Sequence, residues 1–182
     1  MKKIISVVLM VISVIILSGC LNEVTPSDVV KDMFDDYINN SKTILEELDE
    51  YVEKQDLSSE EKKRYKDIIK KEYSAIKYDI LEENIEETTA QVVVSIDVLD
   101  LYYANEQAER ELLANPMNFY TDGSYDVHKF IDYKLTQMEN NEKRVEYTLH
   151  LKLMNSDGEW VLDELDDTTL EKIHGIYNYE EN

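Results

Sequence analysis

The chain of 182 residues carries 40 Asp and Glu against 19 Lys and Arg, a formal charge of −21 at pH 7. Nucleic acid is held by neutralising its phosphates with Lys and Arg, so this balance excludes it as a partner, and an anionic lipid surface would repel the protein rather than recruit it. A single Cys and three His without fixed spacing leave no disulfide framework and no zinc pattern.

Met1, Lys2 and Lys3 make a basic start, and residues 4–17 are apolar apart from Ser6 and Ser13. Ser18 and Gly19 follow, then Cys20, the order of parts expected of a secretory signal peptide. The run falls short of the roughly 20 apolar residues a spanning helix needs. Leu17-Ser18-Gly19-Cys20 resembles the lipobox of bacterial lipoproteins. That resemblance implies diacylglyceryl transfer to the Cys20 sulfur, cleavage before it, and anchoring on the outer face of the cytoplasmic membrane. The alternative is an ordinary signal peptide with a chance cysteine. The expected division is residues 1–19 as lipoprotein signal peptide, 20–24 as lipidated tether and 25–182 as one domain, long enough to bury its own core. Once Cys20 is acylated, no thiol remains to act as a nucleophile.

Thr25-Pro26-Ser27-Asp28 reads as a helix start, with Thr25 as cap, Pro26 in the first turn and Asp28 at the reciprocal position. Val29, Val30, Met33, Phe34, Tyr37 and Ile38 follow at helical spacing, and Ile44, Leu45, Leu48, Tyr51 and Val52 continue the stripe beyond a break at Asn39-Asn40-Ser41. Ser58 or Ser59 caps a further helix to about Lys71, with Tyr65, Ile68 and Ile69 inside.

From Ala75 the period changes to two. Ile76, Tyr78 and Ile80 alternate with polar residues, a turn spans residues 84–88, and Ala90, Val92, Val94, Ile96 and Val98 resume the alternation, which makes a hairpin. Residues 103–114 read as helix ended by Asn115-Pro116, residues 118–124 as loop. A helix then carries Val127, Phe130, Ile131, Leu135 and Met138 on one face. A second hairpin alternates Val145, Tyr147, Leu149, Leu151 and Leu153, turns at Asn155-Ser156-Asp157-Gly158, and returns through Trp160 and Leu162. Thr168 or Thr169 caps a last helix with Leu170, Ile173 and Ile176.

These elements predict an α+β class: a curved antiparallel sheet with N-terminal helices packed on its concave face. The order resembles the nuclear transport factor 2-like cone, and the small domains of unknown function carried by Gram-positive lipoproteins. The matching pieces are the lipobox, Thr25-Pro26-Ser27-Asp28-Val29-Val30, the strand at residues 90–98, and Glu159-Trp160-Val161-Leu162-Asp163. The resemblance implies a cavity between sheet and helices, often in a homodimer, and in some members isomerase, dehydratase or hydrolase chemistry within the cone.

Alternation places no carboxylate or histidine among the inward strand positions, and puts Asp97 and His150 on the solvent face. Asp100 alone continues the inward parity, as a general base at the mouth of a cavity or, more commonly for Asp, as a helix cap. Tyr78, Tyr102, Tyr147 and Trp160 are the aromatic candidates for a pocket wall, although tyrosines more often serve a core with wet edges. Asp122-Gly123-Ser124-Tyr125-Asp126 misplaces the glycine of a calcium loop and lacks its later Glu. With no Gly-rich phosphate loop and no Gly-x-Ser-x-Gly elbow, neither metal nor cofactor is expected. The sequence reading is a lipid-anchored binding or interaction module of the cell envelope, whose partner is a small, partly apolar ligand or an envelope protein. The alternatives are a small enzyme and a structural subunit.

Overall fold

The computed structural model describes residues 24–180. Cys20, the lipobox and the segment before it lie outside the described residues. Helix α1 (Pro26–Ile38) begins in a capping box: the Asp28 N–H donates to the Thr25 hydroxyl and the Thr25 N–H to the Asp28 carboxylate, both at 3.2 Å. It buries Val30, Phe34 and Tyr37, and ends where Asn40 takes a positive φ of 50°. Helix α2 (Lys42–Glu53) buries Ile44, Leu48 and Val52. Helix α3 (Ser59–Ala75) opens with a second box, Ser58 with Glu61. It runs four residues past Lys71, because Glu72 and Tyr73 extend the stripe of Ile68 and Ile69 by the same three-and-four spacing.

Strands β1 (Lys77–Glu86) and β2 (Thr89–Leu99) form the first hairpin. The turn is tighter than expected, with Glu87 at φ 38°, so the strand keeps Asn84, Ile85 and Glu86. A bulge between Ile80 and Glu82 leaves Leu81 exposed, which is why burial stops alternating along β1. After helix α4 (Leu101–Ala114) and a short 3-10 turn (Pro116–Phe119) comes a small hairpin where a loop was expected: β3 (Tyr120–Thr121) and β4 (Ser124–Tyr125). Asp122 and Gly123, at φ 51° and 82°, supply the two left-handed positions of its turn. Helix α5 (Val127–Glu139) is capped by Asp126. Strands β5 (Arg144–Ser156) and β6 (Glu159–Leu162) complete the sheet, and helix α6 (Asp167–Ile173) follows. Its cap is Asp166, whose carboxylate accepts from the Thr169 N–H at 2.7 Å, rather than Thr168 or Thr169.

The fold is α+β, with a curved antiparallel four-stranded sheet in the order β1-β2-β5-β6. Val92, Val94, Ile96 and Val98 on β2 and Leu149, Leu151 and Leu153 on β5 form the buried face, covered by residues from α1, α3 and α6. The inward parity read from the sequence holds at the sheet centre. Tyr78, Ile80, Trp160 and Leu162 on the outer strands are only partly buried.

Arg64 ties α3 to α5. Its Nε and Nη2 reach the two carboxylate oxygens of Glu139 at 2.8 and 3.0 Å, Nη2 also reaches the Thr136 hydroxyl at 3.1 Å, and Nη1 meets Asp132. The Arg64 hydrogen bonds hold the Glu139 carboxyl below its ordinary range. Stabilisation from this pair is therefore present above the unfolded carboxyl pKa and is lost as the pH falls through the depressed folded value. Arg64→Ala is expected to cost about 1–2 kcal/mol, more than the ~0.2–1 kcal/mol of an exposed pair. Arg64→Lys should recover less than half, because an ammonium cannot form the two parallel bonds. Urea unfolding at neutral pH reads both; equal stability of Arg64→Lys and wild type would show that fork geometry contributes nothing.

Candidate functional site

The four aromatic candidates stand in different places. Tyr78 stacks on Phe34 with centroids 4.8 Å apart and donates its hydroxyl to Asp35 at 3.2 Å. Trp160 lies at the hairpin end of the sheet, where it borders an open hollow with Val24, Pro26 and Ile85. Tyr102 and Tyr147 stand near Asp100, joined by Tyr177 and Tyr179 from the segment after α6. Tyr102 meets Tyr179 edge-on at 4.9 Å, and Tyr147 meets Tyr177 at 5.7 Å. Asp100 is buried, and both carboxylate oxygens are engaged. One accepts from the Tyr103 N–H at 2.9 Å, which caps α4, and the other from the Tyr179 hydroxyl at 3.0 Å. Burial, then the Asp100 bond, pushes the Tyr179 phenol up to about 12. Asp100 thus fastens α4 and the C-terminal segment to the end of β2.

A carboxylate that the strand alternation could not reveal lies on α3. Glu72 is fully buried, and neither of its side-chain oxygens closes a hydrogen bond. Burial drives its pKa well above the usual carboxyl range, against the opposing pull of the Arg144 guanidinium and the Leu99 amide. The Arg144 Nε is itself paired with Asp97 at 2.8 Å. Helical spacing from Ile68 and Ile69 was the available signal for Glu72; reading the helix only to Lys71 hid it.

An apolar cleft of about 520 Å³ lies between the α2–α3 connection, α4 and α5. Tyr65, Phe130, Ile131, Leu135 and Met138 form its walls, and Lys134 and Asp56 stand on its lining as the charged groups. Tyr125 and Val127, both nearly half exposed, line it too. Its size falls within the ~300–1,000 Å³ of small-molecule sites, and its mix of apolar wall and few polar groups matches them. Sequence periodicity found this face of α5, and the structure divides it: Leu135 and Met138 are buried in the core, while Val127 and the partly buried Ile131 are left to the cleft.

A smaller cavity of about 140 Å³ lies among α1, α2, α3 and the end of α6. Ile44, Leu48 and Leu170 give it an aliphatic side, and Tyr37, Tyr51, Tyr73 and His174 an aromatic one. The histidines do not meet. His128 bonds Glu61 at 2.9 Å, His150 is exposed on the outer sheet face, and the His174 Nε2 pairs with the Tyr73 hydroxyl at 2.9 Å. Among the described residues no group of three or more His, Asp, Glu or Cys is placed to hold a metal, and no helix is long and apolar enough to cross a membrane.

No protein-family model, no curated protein and no solved structure matches the chain.

Proposed function

We propose that the chain is a bacterial lipoprotein, held by acyl chains on Cys20 at the outer face of the cytoplasmic membrane, and that its domain, a variant of the nuclear transport factor 2-like cone, binds a small, partly apolar ligand. The apolar cleft beside α5 carries this reading. It is open to solvent, and Tyr65, Phe130 and Ile131 on its walls are only partly buried. Binding is favoured over chemistry by the use of the carboxylates: Asp100 is spent on two hydrogen bonds, and Glu72 lines none of the recesses described above. A protein this acidic gains nothing from an anionic bilayer, so two acyl chains are the means of retention.

Two measurements test the reading separately. Radiolabelled palmitate should enter the full chain expressed in a Gram-positive host and be absent from Cys20→Ser, which is shed into the medium; label retained in that variant would overturn the anchor. Nile red, an uncharged apolar dye, should bind saturably with a blue-shifted emission. Tyr125→Glu with Val127→Glu should weaken it at least tenfold, whereas Leu113→Glu, at an apolar position 83% exposed on α4, should not. Equal binding by both variants would remove the cleft from consideration.

A further inference from the structure

The smaller cavity supports an inference independent of the cleft. We propose that the cavity among α1, α2, α3 and α6 is a cage for a small organic cation of the quaternary ammonium class. Tyr37, Tyr51, Tyr73 and His174, from four different elements, bring their rings together around one space. Centroids lie 5.0 Å apart for Tyr37 and Tyr73, 5.6 Å for Tyr73 and His174, and 5.7 Å for Tyr51 and His174. Aromatic faces carry negative quadrupole density and attract cations, most strongly when the cation is desolvated.

Charge on the lining selects the sign of the ligand. Glu47, exposed on α2, is its sole formally charged residue, and no Lys or Arg is among the lining residues. Burial, with the nearby Glu47 charge, pushes the Tyr37 phenol up to about 12, so it stays a neutral ring. His174 is the one lining group that could compete as a cation. Burial lowers its pKa to about 4, and its Nε2 is already engaged by Tyr73. An anion meets Glu47 and no donor cation; a neutral apolar ligand gains nothing from the carboxylate or from the negative ring faces. A primary ammonium surrenders strong hydration and finds few free acceptors in return, whereas a quaternary ammonium carries its charge under methyl groups and asks for none.

Size agrees. The volume of about 140 Å³ is close to the ~150 Å³ engineered cavity that holds one benzene ring. A tetramethylammonium ion has fewer heavy atoms than benzene, and a longer cation can leave its tail in the mouth beside Glu47. The net charge of −21 raises the concentration of every cation near the surface, so the site must be distinguished from that general attraction.

The test uses residues 20–182, which retain every core residue from Val30 to Ile173. Tetramethylammonium and choline are titrated by calorimetry at constant ionic strength, beside 3,3-dimethylbutan-1-ol, the uncharged shape analogue of choline. Both cations should bind saturably, and the alcohol at least tenfold more weakly. Glu47→Gln should weaken choline about tenfold, while Glu46→Gln, which removes the same charge from the adjacent exposed position, should change it less than twofold. Tyr51→Leu should abolish binding with the far-ultraviolet circular dichroism unchanged. Three results would overturn the proposal: no saturation by about 50 mM cation, equal affinity for choline and the alcohol, or equal effects of the two glutamate variants.

Discussion

Gly175→Ala is expected to be the most damaging single-methyl change in the domain, costing upwards of about 3 kcal/mol and lowering Tm by ~6–12 °C. Gly175 follows α6 in the left-handed region, at φ +67°, and is buried. A Cβ there would stand 2.0 Å from the Leu99 carbonyl oxygen and 3.3 Å from its carbon. Both neighbours are backbone atoms at the end of β2, where the chain turns into α4, so no side chain can swing aside. The Gly175 carbonyl also accepts from the Tyr102 N–H at 2.8 Å, and shifting the segment to relieve the clash would break that bond. Gly123 and Gly158 are the controls. Both take positive φ, but an added Cβ meets nothing within 4 Å, so alanine pays only the conformational penalty of about 1 kcal/mol. Thermal unfolding of the three variants decides the point. If Gly175→Ala behaves like Gly158→Ala, the close approach of the chain after α6 to the end of β2 is not a constraint on the fold.

What the sequence revealed and what it concealed divide along local and non-local lines. The caps at Thr25 and Ser58 and the alternation along β2 and β5 depend on residues a few positions apart, and each stands where the pattern put it. The register break at Leu81 has no local signature, because an extra residue in β1 is defined only by its partner β2. Asp166 outcompetes Thr168 as a cap since its carboxylate reaches the Thr169 N–H, a choice a threonine pair placed inside the first turn does not advertise. The recesses were the least legible. The cleft exists because α5, clasped to α3 by Arg64, leaves part of its apolar face beyond the contact. The aromatic cavity gathers residues 37, 51, 73 and 174, whose proximity no window of sequence contains. Of the candidates argued from strand parity, Asp100, Tyr102 and Tyr147 are neighbours, while Tyr78 stacks on Phe34 and Trp160 borders the hollow at the hairpin end.

Replacing Glu72 by Gln is expected to stabilise the domain, and by more as the pH rises. The group's folded pKa lies above its unfolded value, which fixes the sign. Below the ordinary carboxyl pKa both states hold the proton and the side chain adds no pH dependence. Above it the unfolded chain ionises while the buried group keeps its proton, so each pH unit costs the native state up to about 1.4 kcal/mol, until the pH reaches the folded pKa. Glutamine has no such proton to retain, and the difference between variant and wild type should therefore grow between pH 5 and pH 8. Taking that difference cancels the repulsion among the many other acids, which also changes with pH. Glu72→Met, similar in volume and without the polar atoms that find no partner, should show the same slope. Chemical unfolding across this range measures it. A difference independent of pH would mean that the carboxyl titrates as it does in the unfolded chain. A variant less stable than wild type at pH 8 would mean that attraction between an ionised Glu72 and Arg144 outweighs the loss of solvation. Loss of solvation outweighs that attraction, because Arg144 already makes hydrogen bonds to Asp97 and to the Ala75 carbonyl, and the carboxyl oxygens of Glu72 close none.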